Sequence, residues 1–544
     1  MSKTTEYDVI VLGTGIAGLA AALAAHESGL RVLLLEKDEK VGGGTTNSYG
    51  MIWIGNNHLA KAAGLEDSRD DVRAYMSFVG GGEHSDDCMN AYIDRAPEAL
   101  KFFESCGIPF QITRGAADHY AGVAPGAKAE GRTLEVKLIS GSELGEWRNR
   151  VRMSTVQPSY LTAEELIRWG GINNFAQWDQ ELVAERQKSD MRGKGLGLVC
   201  QFLKALLSRK VEIRTAQQVK ELVTERDRSI GVVTGEGRLL ARRGVVLATG
   251  GYGSNPELAG SFEKVPGWTS QVPRSETGDG LILATKLGAA VHVIRNNMTL
   301  LLGFETAPRD RPAEREFHSA GIVELCSPHT IVVNRRGERF ADESYFQGMI
   351  PALLQFDPRA HAYINLPCYL VFDESYASSF SFGGIPAGGG IPEWVARSNT
   401  IEQLAEKLDV DANGLSRTVK RFNGFARGGQ DKDFHRGELK FHLGRRAAAK
   451  GANASLGSIA KPPFYGLELR PSSLPSAGLL VNADAQVLDH HRRPIIGLYA
   501  IGNAAAPTSY GAGYQAGYSL CAGMTFGYLA VENMKRDGRD EAAA

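Results

Sequence analysis

Three tyrosines lie in a glycine-rich stretch close to the C-terminus, at spacings that surround a helix start with phenol groups. Residues 497–503 form an apolar run that predicts a strand, residues 508–520 carry Tyr510, Tyr514 and Tyr518, and an apolar helix pattern follows. The first N–H groups of a helix have no backbone partner, so a glycine loop that ends at a helix N-terminus favours a negatively charged group. The stretch therefore predicts a site for a group that is, or becomes, anionic.

A second glycine pattern, near the N-terminus, predicts a dinucleotide site. The run Gly13-Thr14-Gly15-Ile16-Ala17-Gly18 separates an apolar strand pattern at 7–12 from a helix pattern, and a second apolar run ends at Glu36. The three glycines permit a tight turn, the approach of backbone to a pyrophosphate and the packing of helix on strand, while an acid about 20 residues on meets ribose hydroxyls. The flanking strands make this signal far more specific than a glycine motif alone.

Two further glycine clusters indicate a flavin rather than a nicotinamide. Residues 42–50 read Gly-Gly-Gly-Thr-Thr-Asn-Ser-Tyr-Gly, and residues 244–253 form an apolar strand pattern that stops on glycines. A flavin runs deeper into a protein and would use the first cluster, and a buried parallel strand that ends on glycines commonly lines the ligand end of an open sheet. The alternative for residues 42–50 is a flexible surface loop.

The elements that must position these motifs indicate an α/β protein. Strand and helix patterns alternate through residues 1–270, and Thr277-Gly278-Asp279-Gly280 opens a further helix. Residues 271–444 differ, because they mix strands, Pro/Gly loops and a late helical segment, and the sheet pattern returns at 478–503. We therefore expect one domain built from residues 1–270 and 445–544, with residues 271–444 inserted as a second domain.

The overall composition excludes several classes of function. The 61 Lys and Arg residues balance 62 Asp and Glu, so no net field would recruit nucleic acid. The six cysteines are scattered, with no Cys-x-x-Cys pair and no histidine at metal spacing, and we expect no metal site. Neither an apolar run of about 18 residues nor a secretory signal occurs, so we expect a cytoplasmic protein with no integral membrane segment.

Taken together, the motifs resemble those of a known flavoprotein superfamily. The N-terminal fingerprint, the Gly-Gly-Thr-Thr cluster, the Ala-Thr-Gly-Gly strand, the Thr-Gly-Asp-Gly turn, residues 333–344 and residues 497–503 occur in the order found in the fumarate reductase and 3-ketosteroid dehydrogenase superfamily. The resemblance spans nearly the whole chain and is closest to the ketosteroid, or cyclic ketone, dehydrogenase branch. It implies FAD as cofactor, a Rossmann-type FAD-binding domain from both chain ends, an inserted α+β cap (catalytic) domain, and a substrate held against the flavin between them.

The resemblance also implies which residues contact FAD. They are the following glycines, polar residues and helix-start residues: Gly13, Gly15, Ala17, Gly18, Glu36, Lys37, Gly43, Gly44, Thr45, Thr46, Ser48, Gly50, Val219, Thr249, Gly250, Gly251, Asp279, Gly502, Asn503, Gly517, Ser519 and Leu520. The helix start at the end of this set would face the flavin pyrimidine edge and stabilise the negative charge of the reduced ring.

Four residues are implied to be catalytic. Fumarate reductases clamp a dicarboxylate with arginines, whose fork bonds both carboxylate oxygens. Tyr514 stands where they carry such an arginine, and resembles instead the tyrosine that donates to the substrate ketone in ketosteroid dehydrogenases. The Gly517 N–H is similar to their second donor. Tyr345 matches their tyrosine base, and Tyr120 resembles their supporting tyrosine.

The spacing departs from that of the Δ1-dehydrogenases at one point. Their tyrosine and glycine are four residues apart, whereas Tyr514 and Gly517 are three apart. Tyr510 and Tyr514 therefore compete for the donor role. The spacing is closer to a Δ4-type dehydrogenase, and which bond is desaturated stays open.

These residues favour an FAD-dependent dehydrogenase that introduces an α,β double bond into a cyclic ketone, either a 3-ketosteroid or a smaller cyclohexanone-like ring. Tyr345 would take the Cα proton with help from Tyr120 or His119, the donors would hold the enolate, the hydride from Cβ would pass to flavin N5, and an unidentified acceptor would take the electrons. One alternative is a flavin ene-reductase of the fumarate or urocanate reductase type, with Arg274 as a carboxylate anchor. Another is a non-catalytic electron-transfer flavoprotein subunit.

Overall fold

The computed structural model describes residues 5–154, 158–171, 175–226, 228–297, 299, 301–306, 316–320, 324–438 and 453–543, except for the side chains of residues 5, 176, 316, 346 and 537–543. The strands are β1 Thr5–Leu12, β2 Val32–Leu35, β3 Ile52–Trp53, β4 Phe110–Ile112, β5 Thr133–Val136, β6 Ile139–Ser140, β7 Met191–Arg192, β8 Glu212–Arg214, β9 Glu221–Glu225, β10 Arg228–Thr234, β11 Gly237–Leu247, β12 Val291–Val293, β13 Leu301–Thr306, β14 Glu316–Ser319, β15 Thr330–Asn334, β16 Phe356–Asp357, β17 Ala362–Tyr363, β18 Cys368–Asp373, β19 Ala396–Ser398, β20 Phe464–Ser472, β21 Ala477–Leu479, β22 Gln486–Leu488 and β23 Pro494–Ala500. The helices are α1 Ile16–Glu27, α2 His58–Ala62, α3 Arg69–Gly80, α4 Asp86–Ser105, α5 Ala163–Arg168, α6 Gln180–Lys188, α7 Lys194–Ser208, α8 Pro256–Phe262, α9 Asp279–Thr285, α10 Phe346–Leu353, α11 Glu374–Ser379, α12 Ile401–Leu408, α13 Ala412–Gly428 and α14 Tyr518–Ala543. Among these described helices, none is long and apolar enough to cross a membrane.

The larger sheet has eight strands within the described residues, in the order β22-β23-β11-β1-β2-β8, with β10 and β9 joined beside β11. The strands β23, β11, β1, β2 and β8 run parallel to one another. The register sets Leu12, the end of β1, beside Leu247 of β11 and Leu35 of β2. The carboxyl ends of these strands therefore lie at one edge, and this is the edge of an open parallel sheet where ligands bind.

Two cores cover the faces of this sheet, as the unbroken apolar run at residues 9–12, the end of β1, predicts. Val9 and Val11 face one core together with α1, α7 and α14, while Ile10 and Leu12 face the other together with α9. Small residues let α14 lie close to α1, since a Cβ added at Gly523 would be 2.8 Å from the Ala17 Cβ. The C-terminal helix is thereby fixed against the N-terminal fingerprint.

A second, antiparallel sheet follows the order β14-β13-β20-β18-β15, with β19 paired to β20. One face packs against Met349 and Leu353 of α10, and the other against α12 and α13. The strand β20 lies C-terminal to residue 444, where the sequence analysis placed the end of the cap, and residue 444 itself lies outside the described residues.

Candidate active site

A cavity of about 1960 Å³ extends between the two sheets, and its wall combines the N-terminal glycine motifs, residues 501–503 and 513–520, and residues of the second sheet and its loops. Pockets for drug-sized ligands usually enclose roughly 300–1,000 Å³. The cavity therefore has room for a dinucleotide and a second ligand beside it.

The fingerprint glycines have the backbone conformations and close backbone contacts that their motif predicts. Gly13 has a φ of +104°, and a Cβ there would collide with the carbonyl oxygen of Ala248, just beyond β11. A Cβ on Gly18 would collide with the Gly13 carbonyl oxygen. Gly15 precedes α1 without a side-chain cap, so an anion at this helix start would complete it.

Glu36 holds the glycine turn as well as facing the cavity. Its carboxylate accepts hydrogen bonds from the Thr14 N–H (3.0 Å) and hydroxyl (2.5 Å) and from the Asp38 N–H (3.0 Å). The neighbouring Lys37 ammonium donates to Asp279 at 2.8 Å. These contacts tie the turn to β2 and to α9, so the edge is rigid before any ligand enters.

The glycine and hydroxyl cluster after residue 42 is packed on α1 and is not a surface loop. Thr45 Oγ1 accepts from the Ile16 N–H at 3.1 Å. The Ser48 hydroxyl donates to the Thr45 carbonyl at 2.7 Å and accepts from the Gly50 N–H at 3.1 Å. The loop thus continues the wall of the cavity beside the fingerprint glycines.

Glu276 is a wall residue that the sequence analysis missed. Its carboxylate is buried, lines the cavity and accepts from the Gly251 N–H at 3.0 Å. Burial raises the pKa of Glu276 to about 6. It directly precedes the Thr277-Gly278-Asp279-Gly280 turn but is not part of that motif, and its contact with Gly251 appears only in the fold.

Most of the predicted FAD contacts line the cavity, namely Gly13, Gly15, Ala17, Glu36, Lys37, Gly43, Gly44, Thr45, Ser48, Gly50, Val219, Thr249, Gly250, Asp279, Gly502, Asn503, Gly517, Ser519 and Leu520. Gly18, Thr46 and Gly251 lie behind the wall and support it. Gly18 packs on the Gly13 carbonyl, Thr46 donates to the Gly43 carbonyl at 3.1 Å, and Gly251 packs on Pro475.

Tyr514 lies in the cavity wall close to two other groups that were singled out in the sequence. Its backbone N–H donates to the Tyr120 hydroxyl at 3.4 Å, and its ring centroid is 5.1 Å from that of His119. Burial, with smaller effects from the Tyr49 and Tyr120 phenols, raises the pKa of Tyr514 to about 12. The phenol therefore keeps its proton at neutral pH and can act as a hydrogen-bond donor.

Gly517 immediately precedes α14 and lines the same wall. Its φ is +88°, and a Cβ would lie 2.9 Å from the Ile52 carbonyl carbon. Its carbonyl accepts from the Trp53 and Cys521 N–H groups, whereas its own N–H makes no hydrogen bond to the residues that the structure describes. A second donor is thus available at the wall that carries Tyr514.

The competition between Tyr510 and Tyr514 is decided by their positions. Tyr510 is 1% exposed, stacks on Tyr518 with ring centroids 4.1 Å apart, and does not line the large cavity. Within the described residues its hydroxyl has no hydrogen-bond partner. Of the two tyrosines, Tyr514 is therefore the one placed to contact a ligand there.

Tyr120 contacts Tyr514 and interacts electrostatically with Tyr345, but neither Tyr120 nor Tyr345 is part of the cavity wall. Burial raises the pKa of each phenol, and for Tyr345 the nearby Tyr120 and Asp342 add to the effect. His119, beside Tyr120 in sequence, does line the wall. The structure therefore brings the three predicted tyrosines together and adds a histidine that sequence reasoning had treated only as a helper.

A buried charged network fixes the segment that carries His119. The Asp118 carboxylate accepts from Trp53 Nε1 (2.7 Å), Arg132 Nη1 (2.8 Å) and the Lys128 N–H (2.8 Å). Arg132 is 1% exposed and pairs also with Asp67. Buried charges of this kind are stable only when paired, so the segment is held in one position.

The cap side of the cavity is largely aromatic, with Phe317, Phe380, Phe382 and Trp394 in its wall. His318 lies among them, and its Nε2 is 2.9 Å from the buried Glu324 carboxylate.

Burial opposes protonation of His318, but the charge and hydrogen bond of Glu324 outweigh it and raise the histidine pKa. Arg274, the anchor considered for a carboxylate substrate, is exposed and is not in the wall.

Residues 13–18 and 42–50 together form a glycine cradle at the carboxyl edge of a parallel sheet. This cradle defines a dinucleotide-binding oxidoreductase fold. The chain belongs to the FAD binding domain family, which matches residues 8–524. It is similar to 4-oxocyclohexanecarboxylate 2-dehydrogenase of Sinomonas cyclohexanicum, with 34% identity over 99% of this chain and 95% of that protein. It is also similar to 3-oxosteroid 1-dehydrogenase of Mycolicibacterium smegmatis, with 30% identity over 97% of this chain and 96% of that protein.

A solved structure also matches this chain over nearly its whole length. The crystal structure of 3-ketosteroid Δ1-dehydrogenase from Sterolibacterium denitrificans, in complex with 1,4-androstadiene-3,17-dione, matches with a TM-score of 0.87 and 29% identity over 98% of this chain and 100% of that one. The predictions of the α/β fold, of FAD as cofactor and of the superfamily are confirmed. The protein is an FAD-dependent oxidoreductase, and the glycine cradle and uncapped start of α1 fit the FAD pyrophosphate.

Proposed function

We propose that the protein is an FAD-dependent dehydrogenase that introduces an α,β double bond into a cyclic ketone. The observation that carries this proposal is the pair of hydrogen-bond donors, the Tyr514 hydroxyl and the Gly517 N–H, in the wall of the cavity that also contains the FAD cradle. Two donors at one wall suit an oxygen that gains negative charge during reaction.

The reaction removes a proton from Cα and a hydride from Cβ of the ketone, which leaves a carbon–carbon double bond. FAD supplies the hydride acceptor when it is bound. The Tyr514 and Gly517 donors would hold the ketone oxygen as it becomes an enolate, and each such donor lowers the barrier by on the order of 3 kcal/mol. An electron acceptor, still to be identified, would restore the oxidised cofactor.

Tyr345 is the proposed base, with Tyr120 beside it. Burial raises the pKa of both phenols above the ordinary value of 10, so only a small fraction of Tyr345 is the phenolate at neutral pH. That phenolate would take the Cα proton, and the donors at the ketone oxygen would assist by making the proton more acidic.

The first candidate substrate is a cyclic ketone that carries a carboxylate, such as 4-oxocyclohexanecarboxylate, and a 3-oxosteroid is the second. The relative at 34% identity acts on the oxo acid by its name. His318 supports this order, since its pairing with Glu324 raises its pKa and so favours the imidazolium form, which suits a carboxylate, on the cap side of the cavity.

The wall argues against an ene-reductase that binds a dicarboxylate. Among the described residues that line the cavity, Lys37 is the single Lys or Arg, and it is already paired with Asp279. A carboxylate clamp needs arginine forks that this wall does not supply. The cavity also has space for a second ligand beside the glycine cradle. A subunit that only transfers electrons would not need this space, so the cavity argues against that alternative.

Anaerobic mixing of the purified holoenzyme with ketones tests the proposal. We expect 4-oxocyclohexanecarboxylate or 4-androstene-3,17-dione to bleach the flavin absorbance, with the desaturated ring as product. The proposal is wrong if every ketone leaves the flavin oxidised while fumarate or urocanate reoxidises the reduced enzyme.

A further inference from the structure

Glu276 is a buried carboxylate that joins the glycine cradle to the turn that follows β11. It accepts from the Gly251 N–H at 3.0 Å, and a Cβ on Gly44 would collide with its Oε1. A Cβ on Gly250 would lie 2.6 Å from its Oε2. The carboxylate therefore contacts both segments, whereas neither the proposed ketone donors nor the proposed base involves it.

The carboxylate is also close to the start of α1, which fits the FAD pyrophosphate. A Cβ on Gly43 would lie 3.7 Å from the Gly15 Cα, and the next residue, Gly44, contacts Glu276. One residue of the loop thus separates the carboxylate from the uncapped helix start. At such a short separation a protein interior screens charges less than water does, so a charge on Glu276 and the charges of a pyrophosphate repel each other.

Acids outnumber bases in this part of the wall. Glu36, Glu276 and Asp279 line it, whereas Lys37 is the single Lys or Arg among the described residues that line the cavity, and it is paired with Asp279 at 2.8 Å. A pyrophosphate is a dianion at neutral pH. Because buried charges are stable only when they are paired, its entry favours the uptake of a proton by one of the two remaining carboxylates.

Glu36 is the less suited of the two to take up that proton. Its carboxylate accepts hydrogen bonds from the Thr14 N–H, the Thr14 hydroxyl and the Asp38 N–H. Three donors of this kind stabilise the charged form of a carboxyl group.

Glu276 is the better acceptor of the proton. Burial favours its neutral form and outweighs the N–H groups of Gly251 and Gly44, which favour the charged form. The nearby charge of Glu36 also favours the neutral form, and Lys37 opposes it. The resulting pKa of Glu276 is about 6, and the charges of a bound pyrophosphate would raise this pKa further.

The loop that carries Glu276 is fixed on both sides. The Glu276 N–H donates to the Pro273 carbonyl at 2.9 Å, and its carbonyl accepts from the Ser254 N–H at 2.9 Å. The Ser254 hydroxyl donates to the Pro273 carbonyl at 3.0 Å. The backbone of Glu276 is thus held beside the glycine cradle, and protonation is the direct way to relieve the repulsion.

We propose that Glu276 couples FAD binding to the uptake of one proton, so that the protein holds FAD more tightly when this carboxyl group is neutral. At low pH the group is already neutral, and the affinity for FAD is independent of pH. As pH rises through the pKa of Glu276, a proton must be bound together with FAD, and the affinity falls. The inference concerns FAD alone and does not depend on the substrate.

Dilution of the holoenzyme tests the coupling without any substrate. Released FAD is more fluorescent than bound FAD, so a dilution series at each pH gives the Kd. We expect the Kd of the wild type to be nearly constant below about pH 5.5 and to increase by up to about tenfold per pH unit between pH 6 and 8. A Kd that does not change over this range would overturn the proposal.

Glu276→Gln supplies a neutral side chain of the same size. Its Kd for FAD should be independent of pH and, at pH 8, roughly 10- to 100-fold lower than that of the wild type. Glu257→Gln, at an exposed carboxyl in the first turn of α8, is the matched control and should keep the wild-type profile. A wild-type profile in Glu276→Gln would overturn the assignment. Failure of Glu276→Gln to fold or to retain FAD at pH 8 would overturn it too, because the neutral side chain is the form proposed to bind FAD.

Calorimetry counts the proton directly and separates this coupling from a merely structural contact. FAD is titrated into the FAD-free full chain at pH 7, in two buffers that differ in their enthalpy of ionisation. We expect the wild type to take up more than about half a proton per FAD, and Glu276→Gln to take up almost none. Equal uptake by the two proteins, or none by the wild type, would overturn the proposal. Failure of every ketone to reduce the flavin would leave these expectations unchanged.

Discussion

At the scale of single residues, Tyr514 and Tyr510 form a matched pair, because both are buried phenols but Tyr514 alone faces the cavity. We expect Tyr514→Phe to lower kcat/KM by roughly 100- to 1,000-fold, since a donor to the enolate oxygen is removed. Tyr510→Phe should keep its activity and gain some thermal stability, because the hydroxyl that it removes has no partner among the described residues. Equal losses in the two variants would contradict this assignment.

The proposed base predicts a pH dependence. The pKa of Tyr345 is raised above 10, mainly by burial. The ionised fraction of such a phenol increases about tenfold per pH unit below its pKa. We therefore expect kcat to rise with pH between 7 and 9, and Tyr345→Phe to abolish both the rise and most of the rate. Stopped-flow measurement of flavin reduction gives this profile, and a flat profile in the wild type would argue for another base.

Glu276 is expected to lower the free energy of unfolding as pH rises. A carboxyl whose pKa is lowered by folding has the opposite effect. Its pKa rises from 4.5 to about 6 on folding, because burial disfavours the charge. The protonated form therefore stabilises the fold fully below about pH 4.5, and this contribution is lost as pH rises through about 6. We expect Glu276→Gln to raise stability at pH 8 by about 2 kcal/mol and to change little at pH 4.5, as measured by thermal unfolding.

Residues of the site were predictable from the sequence where a local motif identifies them. Gly13 and Glu36 were found because the motif that contains them is local, and each element of it constrains the next. His119 and Glu276 lie outside such motifs, and their positions depend on contacts with Gln347 and Gly251, which are distant in sequence. The choice between Tyr510 and Tyr514 likewise required the fold, since both occupy the same glycine loop.

At the scale of elements, the start of α14 depends on one glycine. Gly517 has a φ of +88°, and a Cβ would lie 2.9 Å from backbone of β3. We expect Gly517→Ala to destabilise the fold by about 1–3 kcal/mol and to lower kcat strongly, because the N–H is turned away from the ketone. The matched control is Gly424→Ala inside α13, where a Cβ meets nothing within 4 Å and helix propensity predicts a slight gain. Comparable losses in both variants would contradict a special role for Gly517.

The strand β1 and the helix α1 were predictable because an apolar run ends at the fingerprint glycines. Of β11, only residues 244–247 lie within the run at 244–253 that predicted a strand. The extent of the second sheet was not. Its strand β20 pairs with β13, β18 and β19, and this pairing across distant segments leaves no trace in the local pattern of residues 464–472.

At the scale of the whole molecule, the shared cavity predicts that FAD stabilises the protein. A ligand that binds the folded state alone, at a free concentration of 100 times its Kd, adds about 2.7 kcal/mol. We expect removal of FAD to lower Tm, and re-addition to restore it. A phenol that mimics the enolate should raise Tm further only when FAD is present, because the two ligands lie side by side. Differential scanning calorimetry with and without FAD measures both effects, and an unchanged Tm on FAD removal would contradict them.

The order in which the chain is synthesised has a consequence for activity. The strand β11 pairs with β1 on one side and with β23 on the other, and β23, Tyr514, Gly517 and α14 all follow residue 493. A nascent chain that has left the ribosome only as far as β20 carries the fingerprint, but residues 245–247 of β11 lack their β23 partner and the two proposed ketone donors have not been made. Such an edge is prone to pair with other chains. We therefore expect the sheet and the proposed donor site to be completed together, once residues 494–520 have left the ribosome.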